Sequence, residues 1–261
     1  MRLIVSDIDD TLVHKGMLPP RNRDVLSQAL AQDVRLVLAT VRKYDSAMQV
    51  VQKLRLPCTL ICQGGATMYD EQGKQLHQTT IPLELAHQIA ELADQEHLPL
   101  LTTIDEHNYY SAGSHPRHYI KATGTDITSH RAILQKPPSR FLIRGERGVL
   151  LMEEHFGTAP LHMVRHYNAR GHIHDAAITH IDATKQKAVA WLCHCWGILP
   201  THVLAIGDSE SDIGMITWAG MGVAMENAHP SVRDAADWVA PSVQQAGLAS
   251  AVTYFLRGSL S

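Results

Sequence analysis

The sequence predicts an α/β protein built on a doubly wound parallel sheet, with a second α+β module inserted into it. Three observations lead there. The apolar runs Leu3-Ile4-Val5, Val34–Ala39 and Val203-Leu204-Ala205-Ile206 have the continuous hydrophobicity of strands buried on both faces. Segments of helical period separate strand from strand, and that alternation implies parallel pairing through crossover helices. Between about residues 82 and 181 the rhythm changes to closely spaced turn signals, as expected of a separate unit. At 261 residues the chain has room for one large domain or two modest ones, each with a core.

Each element has its own local reason. Pro19-Pro20 marks a turn, after which 21–32 suits a helix with Val25, Ala29 and Leu30 inward. The strand Val34–Ala39 ends at Thr40, and a helix over 45–54 leads to a strand at Thr59–Cys62. Gln63-Gly64-Gly65-Ala66 reads as a turn, and Met68-Tyr69-Asp70 opens a hairpin at Glu71-Gln72-Gly73. In the middle segment, 83–97 has helical periodicity, whereas 141–143, 148–152 and 172–181 read as strands. The outer sheet then resumes with a helix over 184–196, a strand at 203–206 and a helix over 211–218. Short strands at 222–225 and Trp238–Ala240 and a helix over 244–255 complete it.

Composition narrows the function. With 23 Lys and Arg against 26 Asp and Glu, the chain advertises no basic surface for nucleic acid. No apolar stretch approaches the roughly 20 residues of a membrane helix, and Met1-Arg2 leads straight into a strand, leaving no room for a signal peptide. A cytoplasmic protein without a membrane partner is expected. The four cysteines have no metal or disulfide spacing and read as buried, reduced thiols. The seventeen histidines lack a tight ligand group and read as solvated or core side chains. Nothing in the sequence fixes an oligomeric state.

The chemistry sits at the ends of the apolar runs. In open α/β sheets ligands bind beyond the carboxyl ends of the strands. If the first and late strands share one sheet, Asp7, Asp9, Asp208 and Asp212 converge, and four carboxylates together call for a hard cation such as Mg²⁺. Thr40 and Lys185 add a hydroxyl and an ammonium, so the set meets the needs of phosphoryl transfer. Lys185 stands with Lys187 in the first turn of a helix, where a cation is locally unfavourable unless an anion lies close by.

Asp7-Ile8-Asp9-Asp10-Thr11, Thr40, Lys185 and Gly207-Asp208-Ser209-Glu210-Ser211-Asp212 resemble, in order, the four motifs of the haloacid dehalogenase superfamily. The insert between the second and third motifs, with the trailing Gly222-Val223-Ala224-Met225-Glu226-Asn227-Ala228, resembles the Cof-type phosphatases with a C2 cap. That resemblance implies a Rossmann-like core over 1–81 and 182–261, with a substrate-selecting cap over 82–181. It implies Asp7 as the nucleophile and Asp9 as general acid and base, the backbone carbonyl of Asp9 also ligating the metal. Thr40 and Lys185 would bind the phosphoryl oxygens, Lys185 also orienting Asp7, and Arg42 would add a substrate or phosphate contact. The implied Mg²⁺ set is Asp7, Asp9, Asp208 and Asp212, with Asp212 supporting the metal shell or Lys185.

The expected activity is Mg²⁺-dependent hydrolysis of a small phosphorylated metabolite, a sugar phosphate or similar phosphomonoester, through an aspartyl-phosphate. A phosphomutase of the same fold and a phosphorylatable receiver-like module are the alternatives. Asp9, two residues after the nucleophile, and the large insert both argue against a receiver. Which of His115, Arg117, His118 and Lys121 point inward from the cap is not readable. Asp10, Val41, Gly64, Gln186 and Ser211 depart from the residues commonest at their positions and mark a divergent branch.

Overall fold

The computed structural model describes residues 1–111, 124–168 and 170–258. In chain order the elements begin with β1 (Arg2–Ser6), α1 (Pro20–Leu30), β2 (Val34–Ala39), α2 (Tyr44–Leu54), β3 (Thr59–Cys62), β4 (Thr67–Tyr69) and β5 (Gln75–Gln78). Next come α3 (Leu83–Gln95), β6 (Leu100–Ile104), β7 (His107–Ser111), β8 (Thr125–Ile127), α4 (His130–Ile133), β9 (Arg140–Arg144), α5 (Glu146–Phe156), β10 (Leu161–Tyr167) and β11 (Ile173–His180). The last are α6 (Lys185–Trp196), β12 (Val203–Gly207), α7 (Ile213–Trp218), β13 (Met221–Met225), α8 (Pro230–Asp234), β14 (Trp238–Ala240) and α9 (Gly247–Arg257). These elements form two compact units, one of residues up to His77 and from Thr184 onward, the other running Gln78–Ala183.

The first unit is an eight-stranded sheet in the order β14-β13-β12-β1-β2-β3-β4-β5. Strands β14, β13, β12, β1, β2 and β3 pair in parallel, and β4 turns back antiparallel against β3. Alternation along the strands divides the side chains between two cores. Ile4, Leu36, Leu38, Leu204 and Ile206 pack on the side that also takes Val25 and Leu26 of α1 and Val252 of α9. Leu3, Val5, Val37, Ala39, Val203 and Ala205 pack with Val189 and Leu192 of α6 and Met215 of α7. From β1 the chain proceeds outward through β2 and β3, and after the insert it returns to the other side of β1 through β12. The order therefore reverses between β1 and β12, which is where such sheets open a crevice.

The second unit has a six-stranded sheet, β10-β11-β9-β6-β7-β8, antiparallel except for the pair β7 and β8. Its own core gathers Phe141 and Ile143 of β9, Ala176 and Ile178 of β11, Ile89 of α3 and Val149 and Met152 of α5. Residues 148–152, expected as a strand, lie inside helix α5. The inward residues Gly148, Val149 and Met152 have helical spacing, and a five-residue apolar run cannot distinguish the two periods alone. Strands β6, β7 and β10 have too many Thr, His and Asn for the apolar-run criterion and were not expected. The closing helix starts at Gly247 rather than at 244, behind a short 3-10 turn at Val243–Gln245. All four cysteines are free; Cys58, Cys62 and Cys193 are buried as expected, while Cys195 is exposed. His115, Arg117, His118 and Lys121 lie outside the described residues. Among the described residues no helix is long and apolar enough to cross a membrane.

One buried amide ties the first unit together. Asn22 of α1 donates to the Leu12 carbonyl at 3.0 Å and accepts from the Ala249 N–H of α9 at 3.2 Å. Truncation takes the amide donor from the Leu12 carbonyl and leaves the Ala249 N–H with the Ala246 carbonyl alone, at 3.0 Å; an unmet buried backbone group costs about 1–3 kcal/mol. Asn22→Ala is therefore expected to lower the unfolding free energy by about 2 kcal/mol or more. Urea denaturation at neutral pH measures it, and a loss below about 0.5 kcal/mol would mean that water or a shift of α9 replaces the amide.

Candidate active site

The carboxyl ends of β1, β2 and β12 deliver the side chains of the crevice. The Asp7 N–H donates to the Ile206 carbonyl at 2.9 Å, so the residue leaving β1 is locked to the end of β12. Thr40 leaves β2 the same way, its N–H donating to the Ile61 carbonyl of β3 at 2.8 Å. Lys185 opens α6, which is capped by the Thr184 hydroxyl accepting from the Lys187 N–H at 3.2 Å. Gly65, at φ 118°, packs its α-carbon against this cap; a Cβ there would lie 2.3 Å from the Thr184 carbonyl oxygen. Only glycine allows that approach.

Lys185 is 1% exposed, and its buried ammonium is paired with two carboxylates. Nζ donates to Asp7 Oδ1 and to Asp212 Oδ1, both at 2.6 Å. Burial alone would lower the lysine pKa, but Asp212 and Asp7 outweigh it and hold the ammonium protonated well above its ordinary range. Asp212, 0% exposed, uses its other oxygen to accept from the Asp208 and Ser209 N–H groups at 3.2 and 3.0 Å and from Ser209 Oγ at 2.8 Å. Gly207 leaves room for that carboxylate: a Cβ there would lie 2.4 Å from Asp212 Cβ.

Asp7, Asp208 and Asp212 form the cluster capable of holding a cation among the described residues, with one ligand oxygen of each within 4.8 Å of the others. Three carboxylates meet one ammonium there. Burial, reinforced by Asp212 and Asp208, pushes Asp7 up to about 8 despite Lys185. Burial likewise pushes Asp208 up to about 7, with Asp212 and Asp10 adding to it and Thr11 opposing. A site that resists negative charge so strongly, and offers only hard oxygen donors, suits a hard divalent cation such as Mg²⁺.

The other sequence-predicted residues fall into two groups. Thr40 is wholly buried at its strand end, its hydroxyl accepting from the Arg42 N–H at 3.1 Å. The Asp9 carboxylate is not in the acidic cluster; it pairs with Arg42, whose Nε and Nη2 reach its two oxygens at 2.7 and 2.5 Å. Two residues carry structural duties that no role had been read for. Thr11 donates its hydroxyl to Asp208 Oδ1 at 2.7 Å, orienting that carboxylate; its place four residues after Asp7, within the same acidic segment, was the available signal. Asn227 donates to the Asp10 carbonyl at 2.9 Å and accepts from the Val243 N–H at 3.0 Å, fixing the loop in which Asp10 holds a φ of 55°.

Known proteins resemble this chain in sequence and fold. A family model for haloacid dehalogenase-like hydrolases matches residues 4–252. The pyridoxal phosphate phosphatase of Escherichia coli is 26% identical over 91% of this chain and 92% of its own. The HMP-PP phosphatase of Serratia proteamaculans is 24% identical over 89% of this chain and 86% of its own. The fold of a haloacid dehalogenase-like hydrolase from Bacteroides thetaiotaomicron superposes with a TM-score of 0.81 at 23% identity, covering 97% and 98% of the two chains. The chain belongs to the haloacid dehalogenase-like hydrolase family, in which it is a Cof-type phosphoric monoester hydrolase.

Proposed function

We propose that this enzyme hydrolyses a small phosphorylated metabolite, a sugar phosphate or similar phosphomonoester, through an aspartyl-phosphate on Asp7 and with Mg²⁺ as cofactor. The observation that carries the reading is the position of Lys185 Nζ, 2.6 Å from Asp7 and from Asp212 at the reversal of strand order. An ammonium there fixes the nucleophile and presents charge to an incoming phosphoryl group. Relatives that act on pyridoxal phosphate and HMP-PP support a small substrate.

The chemistry divides into two displacements. An Asp7 oxygen attacks phosphorus, the bond from phosphorus to the ester oxygen breaks, and Asp9 gives a proton to the departing alcohol. Asp9 then takes a proton from water as the water oxygen attacks the aspartyl-phosphate, which frees inorganic phosphate and restores Asp7. Thr40 and Lys185 hold the phosphoryl oxygens through both steps. Bound Mg²⁺, held by the Asp7 and Asp208 carboxylates and the Asp9 backbone carbonyl, would offset the repulsion between phosphate and carboxylates. Asp212 supports the site through Lys185 and the Asp208-Ser209 backbone, and Thr11 orients Asp208. The inserted segment 82–181 would select the substrate, and the free, mostly buried thiols fit a cytoplasmic location.

Asp7→Asn keeps the side-chain shape and removes the nucleophile. Turnover is expected to fall by about 10⁴-fold or more while circular dichroism shows an intact fold. Substantial hydrolysis by the folded variant would refute covalent catalysis through Asp7.

Chelation is expected to stop hydrolysis and added Mg²⁺ to restore it, with Asp208→Ala lowering kcat/KM by more than about 100-fold. Phosphate release in excess chelator is the measurement, and undiminished activity there would remove the metal from the mechanism.

Replacing the inserted segment with a short linker is expected to preserve some hydrolysis of 4-nitrophenyl phosphate. Preference within a panel of sugar phosphates, nucleotides and phosphorylated organic acids should be lost. A folded truncate with its preference unchanged would place specificity in the core loops.

A further inference from the structure

We infer that Arg42 is a positioning residue that aims the Asp9 carboxylate, and not a ligand of the phosphoryl group; the inference rests on the phosphatase reading above. The guanidinium meets Asp9 side-on, Nε to Oδ2 at 2.7 Å and Nη2 to Oδ1 at 2.5 Å. Two parallel bonds to a planar fork fix the plane of a carboxylate as well as its distance. The third nitrogen, Nη1, turns to the first turn of α2, where it reaches the Ser46 carbonyl at 3.3 Å and Ser46 Oγ at 3.5 Å. The root of the arm is equally fixed. The Arg42 N–H donates to Thr40 Oγ1 at 3.1 Å, and the Arg42 carbonyl accepts from the Gln63 N–H at 2.8 Å. The side chain is thus held at both ends.

What this grip accomplishes follows from exposure. The Asp9 side chain is 49% exposed and that of Arg42 25%. Water screens the charges of a pair this open, while the side-on fork fixes the direction of the carboxylate whatever energy it adds. A proton donor must present an oxygen to the leaving group along a defined direction, and an unrestrained aspartate on an open loop would sample several. Arg42 removes that freedom while leaving the carboxylate accessible from the solvent side.

The test uses substituted phenyl phosphates, which match in size and differ in how much their leaving group needs a proton. Phenol release in a single turnover with Mg²⁺ is measured for the unaltered enzyme, Arg42→Ala, Arg42→Lys and Asp9→Asn, each checked for folding by thermal melting. For phenyl phosphate Arg42→Ala is expected to slow release about tenfold, a fraction of the 10²–10⁴ that general acid catalysis supplies. For 4-nitrophenyl phosphate the loss should stay below about threefold, with half-saturation changed by less than about twofold. Arg42→Lys keeps the charge without the fork and should resemble Arg42→Ala. Added to Asp9→Asn, the arginine change should produce no further leaving-group dependence. Equal losses on both esters with raised half-saturation and rescue by lysine would assign Arg42 to the phosphoryl group and overturn the inference. Unchanged rates would overturn it too. An unaltered enzyme that hydrolyses neither ester would instead refute the phosphatase reading on which the inference depends.

Discussion

A buried ammonium organises the catalytic unit. Removing a lysine from water costs several kcal/mol, and the structure tolerates it because Asp7 and Asp212 flank Nζ at 2.6 Å. Each flanking carboxylate is in turn placed by backbone. Asp7 is pinned where β1 meets β12, and Asp212 is gripped by the N–H groups of Asp208 and Ser209. The glycines at 65 and 207 follow from the same constraint. One lets the loop after β3 close on the cap of α6, and the other leaves space for the Asp212 carboxylate. Remove the ammonium and three acidic groups would face one another with only the Thr11 and Ser209 hydroxyls and the Asp208 and Ser209 N–H groups to offset them.

Two electrostatic regimes stand side by side in this site. Around Lys185 the low dielectric makes each contact strong and each displacement expensive, so Asp7, the proposed nucleophile, is held rigidly. Around Asp9 water enters, and the guanidinium contact is directional rather than strongly stabilising. The division matches the work that the proposed mechanism asks of Asp7 and Asp9. A nucleophile gains from being held close to its line of attack, whereas a group that gives up a proton and later takes one must exchange with solvent and ligand.

The sequence made legible those residues whose signal is local. Asp7, Thr40 and Asp208 each end an apolar run, and the parallel pairing of the sheet, though not its strand order, could be anticipated from the alternation of strand and helix. Lys185 was legible because a lysine in the first turn of a helix is a local mismatch. The Arg42–Asp9 pair was not, since nothing in either segment states that the chain will return after β2 to face the first loop. Thr11 and Asn22 hid for a related reason: a buried hydroxyl or amide looks like any surface polar residue until its partner is known. Residues 148–152 misled because strand and helix of that length share an apolar run, and only packing against Phe141 and Ile143 chooses. Unit limits near residues 78 and 183 are set by contacts, which local composition marks only approximately.

The placement of the insert has a thermodynamic logic. Asp7, Asp9, Thr11, Thr40 and Arg42 precede it, and Lys185, Asp208, Asp212 and Asn227 follow it, so neither flanking segment contains a site alone. Strand β1 lies between β2, its near neighbour in sequence, and β12, which arrives only after the insert; the two segments interleave in one sheet. Forming that sheet requires closing a long loop, yet closure entropy grows only logarithmically, about 0.6 kcal/mol per doubling of length. An insert that folds on its own core, as the cluster around Phe141 allows, shortens the effective loop further. Length and sequence of the insert can therefore change at small cost to the β1–β12 pairing, while a change at that pairing strikes Asp7, Asp208 and the Lys185 bridge together.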